Sequence, residues 1–196
     1  MKLEIVSSLL MPLLAAAVPT SNPPASEQPP AFTVLASRSA SPIHFLPLNA
    51  AGQSFWLGGS PQTYCPLSSG CPPGNQTVLA GTGAALSVVV PGGQQIYVSP
   101  QGALKFTQAH SMNIPPGSSY GPFEYIPGAP GSAFGYYTYS GWDTDGFMAC
   151  PTDDSKWQVF AALQNATVPS GSVGDCLGFS AIAVPTNQTG NVWQYI

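Results

Sequence analysis

The sequence predicts an all-β fold, an antiparallel β-sandwich or barrel held by two disulfides. Three observations carry that prediction. Glycine and proline number 21 and 22 among 196 residues, so few windows leave room for three uninterrupted helical turns. The apolar stretches are short and rich in β-branched and aromatic side chains: residues 32–36, 43–46, 86–90, 95–98, 133–139, 157–163 and 177–184. Four cysteines sit in a chain that opens like an export leader, the setting in which disulfides form and persist.

Met1, Lys2 and Leu3 precede an apolar run over residues 5–18, and Ala15, Ala16 and Ala17 are small enough for a signal peptidase. Residues 1–17 are therefore assigned to a signal peptide. The run is shorter than the roughly 20 residues that span a bilayer as a helix, and Pro12 interrupts it. No later stretch reaches that length, so no integral membrane segment is expected after leader removal. Residues 18–31, VPTSNPPASEQPPA, show no apolar period and read as a proline-rich spacer. Residues 32–196 keep an even composition and are expected to form a single β domain.

Within that span the clearest local signal is Ser99-Pro100-Gln101-Gly102. Proline suits the second position of a type I turn and Gly102 the left-handed bulge position after it, so residues 95–98 and 103–106 should pair as a hairpin. The segment WQVFAAL at 157–163 suits a strand buried on both faces, a reading preferred to a short helix.

The four cysteines allow three pairings. The local one is taken: Cys65 with Cys71 around a short loop, and Cys150 with Cys176 around a longer one. Chain entropy assigns roughly 3–4 kcal/mol to the longer loop and roughly 2 to the shorter. The sulfurs lack metal-ligand spacing, and both histidines lie far from them in sequence, so no metal is expected there. Asn75, Asn165 and Asn187 each open an Asn-x-Thr sequon without proline at the middle position, which places them at the surface as glycan acceptors. Occupancy of all three is not expected.

Only twelve side chains carry a formal charge, four basic and eight acidic. That scarcity leaves few groups for proton transfer and no basic surface for nucleic acid. Gly117-Ser118-Ser119-Tyr120-Gly121 matches the G-x-S-x-G nucleophile elbow, but prolines flank it where a strand and a helix belong, and no histidine follows Ser119. Glu124 is the only glutamate after the spacer and would need an aspartate partner for glycoside hydrolysis. Asp143 and Asp145 read as turn residues that bond local backbone, and His44 and His110 as hydrogen-bonded structural residues. No catalytic residue, cofactor or resident metal is assigned.

The aromatic cluster Phe134, Tyr136, Tyr137, Tyr139 and Trp142 is the remaining candidate. Strand alternation sets Phe134 and Tyr136 on one side and Tyr137 and Tyr139 on the other, so one pair should be less buried. Tyr137, Tyr139 and Trp142 are taken as the ligand-stacking candidates, since aromatic rings join apolar area to a polar edge.

The segments TVLASRSASPIHFLPLNAAGQSFWLGG, PGGQQIYVSPQGALKFTQAHS, GFMACP, WQVFAAL and DCLGFSAIAV together resemble the fungal secreted IgE-binding or phiA-type cell wall proteins. The resemblance implies a non-enzymatic, extracellular protein of the fungal wall. It also supports the pairing of Cys150 in GFMACP with Cys176 in DCLGF. The expected partner is a cell-wall polysaccharide or a wall or host protein. A carbohydrate-binding module or a secreted effector is the alternative, and a secreted hydrolase the third reading.

Overall fold

The computed structural model describes residues 31–196. The leader expected over 1–17 and the spacer up to residue 30 lie outside the described residues, and Ala31, read as the spacer's end, is the first residue of a strand. The described chain is strands and turns, with one short 3-10 turn at Val173–Asp175 and no helix long and apolar enough to cross a membrane.

Among the described residues fourteen strands form, in chain order: β1 Ala31–Ser37, β2 Leu48–Ala51, β3 Ser54–Leu57, β4 Thr63–Tyr64, β5 Leu79–Ala80, β6 Ala85–Leu86, β7 Gln94–Val98, β8 Leu104–Phe106, β9 Phe123–Ile126, β10 Gly135–Tyr139, β11 Phe147–Pro151, β12 Trp157–Ala161, β13 Leu177–Pro185 and β14 Gln194–Tyr195. Every pairing is antiparallel. The order β1-β5-β6-β7-β8-β3-β12-β11-β13 returns to β1 through a further β1–β13 pairing, so the sheet closes on itself as a barrel. Closure leaves these strands without open edges that would template aggregation. Strands β10 and β9 extend outward from β13, β2 flanks β3, and β14 pairs with β4 in a separate two-stranded sheet.

The hairpin read from Ser99-Pro100-Gln101-Gly102 forms as expected. Gly102 N–H donates to Ser99 O at 2.8 Å, Ser99 N–H to Ala103 O at 2.9 Å, and Gly102 takes φ of 89°. The segment WQVFAAL supplies β12, with Val159, Phe160 and Ala161 all buried. Residues 43–46 depart from expectation. They form a turn in which Ile43 is buried while Phe45 projects outward with φ of 60°, because Pro42 and Pro47 bracket the segment and withhold ladder donors at both ends. Residues 86–90 are strand only at the start; Val89 and Val90 then donate to Val192 O and Trp193 O at the C-terminus.

The core fills the barrel with inward side chains from alternate strand positions, including Phe32, Phe55, Phe106, Tyr137, Tyr139 and Phe147. One polar residue is central to it. The fully buried Gln94 amide donates to Thr107 O at 2.9 Å and Tyr195 O at 3.0 Å and accepts from Tyr195 N–H at 2.8 Å. Tyr195 donates in turn to Gln76 O and accepts from Val78 N–H. These bonds satisfy every buried polar group involved and anchor the chain end to β7.

Strands β10 and β11 follow one another along β13: β10 pairs with residues 181–183 and β11 with 177–179. Between them the chain loops out over 140–146, and Gly146 N–H closes the neck onto Tyr139 O at 2.9 Å. The outward side of β11 is covered. Met148 and Cys150 pack with Ala103 and Phe160 beneath Ala166, Val168 and Val173, and the Cys150–Cys176 disulfide clasps that covering segment to the strand. The second bridge, Cys65–Cys71, closes a short surface loop. Both pairings are the local ones.

Candidate binding surface

Two of the three stacking candidates are not on the surface. Tyr137 is 2% exposed and Tyr139 fully buried. The ring of Tyr137 lies over Gly83, to whose carbonyl its hydroxyl donates at 2.9 Å, and a side chain at Gly83 would occupy the space of that ring. Burial alone pushes the Tyr137 hydroxyl well above the ordinary tyrosine range. Tyr137 and Tyr139 are thus core residues. The physical reason is that β13 and β9 flank β10 and turn its odd-numbered positions toward Phe32, Phe123 and Phe147. Trp142, the third candidate, is 43% exposed in the loop between β10 and β11.

The outward pair is Phe134, just before β10, and Tyr136 on it, with rings edge-on at 6.1 Å. Register places Ile126 of β9, Tyr136 of β10, Ile182 of β13 and Leu35 of β1 side by side on this outer face, and a bridge from Leu35 continues to Pro47. Tyr136 is 43% and Ile126 44% exposed, while Ile182 and Leu35 are half-buried. Two positions along each strand, the same face carries Glu124, Thr138, Ser180 and Ser37. An apolar row therefore runs beside a row of hydroxyls and one carboxylate. This apolar row with a polar border is the candidate contact surface.

A second carboxylate joins this face through Thr138. Thr138 stands opposite Glu124, and its hydroxyl donates to Asp145 Oδ1 at 2.6 Å. Asp145 thus bonds a side chain and not the local backbone expected of it, while Asp143 sits in a left-handed turn conformation with φ of 55°. The remaining polar groups lie apart from this face. Ser119 donates to Gly121 O at 2.7 Å, with its backbone bridged to Val98. His44 Nδ1 accepts from Arg38 N–H at 3.2 Å, and its ring stacks on Phe45. His110 occupies a turn with φ of 61°. Lys156 bonds Asp154 and, with the Thr152 hydroxyl, holds that carboxyl down to about 2. Half-buried Lys105 donates to Ser54 Oγ at 3.0 Å, and burial lowers its pKa from the ordinary lysine value. No cluster of three metal-ligating side chains forms among the described residues.

Sequence reasoning did not find β9 or the role of Ile126. The usable signal was polar: Glu124 and Thr138 mark their own face as solvent-facing, and Tyr136 shares the Thr138 side by alternation. Asn75, Asn165 and Asn187 are all exposed, as a glycan acceptor requires, although Thr77 is buried with Oγ1 accepting from Ala50 N–H.

These features define a disulfide-clasped antiparallel β-barrel that carries an apolar, aromatic strip on its outer wall. The chain belongs to the PhiA-like secreted protein family, whose sequence pattern matches residues 32–196. A relative from Arthroderma benhamiae, described as an uncharacterized secreted protein, is 46% identical over 201 aligned positions that cover the whole of both chains. No solved structure matches this chain.

Proposed function

We propose that this fungal secreted protein resides in the cell wall as a glycoprotein without catalytic activity, and that it holds neutral wall polysaccharide on the outer face of β9, β10, β13 and β1. The observation that carries this reading is the registered row of Ile126, Tyr136, Ile182 and Leu35 beside Glu124, Thr138, Ser180 and Ser37. A pyranose ring offers an apolar C–H face and a rim of hydroxyls. Tyr136 and Phe134 match the first through stacking, and the polar row matches the second through hydrogen bonds. The low charge of the chain suits a neutral polymer, which is recognised without ion pairs.

The test is retention of the secreted protein on insoluble chitin and β-glucan. Wild type is expected to be retained, and Tyr136→Ala to bind about 2–10-fold more weakly, the range of a single aromatic contact. Tyr137→Ala cannot serve as a binding probe, because it removes a core side chain. Nil retention of wild type overturns sugar recognition and transfers the strip to a wall or host protein partner. Release of reducing ends by wild type but not by Glu124→Gln would replace the contact reading with hydrolysis.

A further inference from the structure

We propose that Trp142 is the docking platform for the chain's own glycan: the first N-acetylglucosamine on Asn165 stacks on the exposed face of the Trp142 indole. This site is separate from the outer-face strip; it rests on the glycoprotein reading proposed above and not on the role of that strip.

Trp142 is unusual in being both exposed and firmly held. Trp142 and Asp143 adopt left-handed backbone conformations with φ of 54° and 55°, which side-chain-bearing residues take only at an energetic cost. The loop neck is closed by the Gly146–Tyr139 bond, Thr144 Oγ1 donates to Ala162 O at 2.8 Å, and the indole meets Tyr139 edge-on at 6.3 Å. The surrounding structure therefore fixes a large aromatic ring with much of its surface uncovered.

Asn165 lies across from it. Ala166 N–H donates to Leu163 O, and Thr167 N–H to Gln101 O at 2.9 Å, which seats the sequon turn on the β7–β8 hairpin tip. Gly102 at that tip accepts the turn closely, since a side chain there would meet Ala166 and Leu163. Trp142 and Asn165 line one groove of about 290 Å³, with Pro100, Gln101 and Leu163 between them. That volume sits near the lower end of the ~300–1,000 Å³ of small-ligand sites and suits a single sugar ring. Asn75 borders a different groove, lined by Leu35, Pro47 and Gln76 among others but by no aromatic ring.

Attachment joins Asn165 Nδ2 to the anomeric carbon of a lipid-linked oligosaccharide as the bond to the lipid pyrophosphate breaks, with the lipid pyrophosphate as leaving group and one Nδ2 proton released. The tethered sugar then has an effective concentration set by one short linkage, so even a weak stack is populated. Its C–H face covers the indole, and Gln101 offers amide donors and an acceptor to its hydroxyls. The glycan thereby ties loop 140–146 to the segment that covers β11.

The experiment is a double-mutant cycle on full-length protein secreted from a glycosylating fungal host, trimmed enzymatically to one N-acetylglucosamine per occupied site. Trp142→Ala, Trp142→Phe and Asn165→Gln are compared singly and in combination by thermal unfolding, with occupancy of Asn165 read by peptide mass. In the glycosylated background, Trp142→Ala should lower the melting midpoint by about 2–4 °C more than in the Asn165→Gln background, with Trp142→Phe recovering part of the difference. The cycle cancels the Tyr139 contact, which is lost equally in both. Equal shifts in the two backgrounds overturn the proposal, as does an Asn165 that leaves the host without glycan.

Discussion

Strands β10 and β11 run along the same neighbour, β13, yet their outer faces meet opposite fates. On β11, Met148 and Cys150 point outward and are buried under the segment clasped by the Cys150–Cys176 bridge. On β10, Tyr136 points outward and stays open, with Phe134 beside it. Side-chain polarity explains part of the difference, since Thr138 follows Tyr136 on the open face whereas Met148 and Cys150 are both apolar. What also differs is the cover, which a loop and one covalent link provide at β11 and nothing among the described residues provides at β10. The contact proposed above uses the face that the described residues leave bare.

The largest effect should separate the two sides of β10. Tyr137→Ala is expected to cost about 3–5 kcal/mol in urea unfolding, as for other aromatic truncations in a core, whereas Tyr136→Ala should stay within about 0.5 kcal/mol. Comparable losses at the two positions would break the distinction between inner and outer face. Next is the cover on β11. Replacing Cys150 and Cys176 by alanine should destabilise by about 3–4 kcal/mol and expose Met148 and Phe160 to a hydrophobic dye, while the same change at Cys65 and Cys71 should cost about 2 kcal/mol without added dye binding. Equal dye binding by both variants would mean that the longer bridge does not hold the cover down.

A smaller effect sharpens the account of the interior. Burial pushes the Tyr195 hydroxyl up to about 12, partly offset by the Val78 N–H bond, and raises Tyr137 in the same direction. The unfolded chain releases these protons first, near pH 10, while the folded chain still holds them. Between pH 10 and 12 the folded state binds more protons, so stability present below pH 10 falls as pH rises. The loss from Tyr195 should reach about 2–3 kcal/mol near pH 12. An alkaline unfolding curve that is unchanged in Tyr195→Phe would contradict this assignment.

The strands were legible where turn chemistry and apolar runs agreed. Ser99 to Gly102 specified its hairpin because proline and glycine at those positions permit little else. WQVFAAL was readable as a doubly buried strand because no polar residue interrupts its second half. Residues 43–46 misled because their apolar pattern suited a strand while the bracketing prolines forbade a ladder. Strand β9 was missed because Pro122 and Pro127 frame it and Glu124 breaks its apolar run. For the aromatic cluster, alternation sorted the rings into two pairs, and the choice of Tyr137 and Tyr139 as the surface pair was wrong.

By itself the sequence determined the fold class and the separation of Phe134 and Tyr136 from Tyr137 and Tyr139, because turn residues and the two-residue strand period are local; it left three sulfur pairings open, of which the structure forms the local one. Tertiary structure alone decided which pair faces the core, that β1 and β13 close the barrel, and that Trp142 and Asn165 share a groove. Those outcomes depend on contacts between residues far apart in the chain, and period-two alternation is symmetric with respect to inside and outside until a neighbouring layer breaks it.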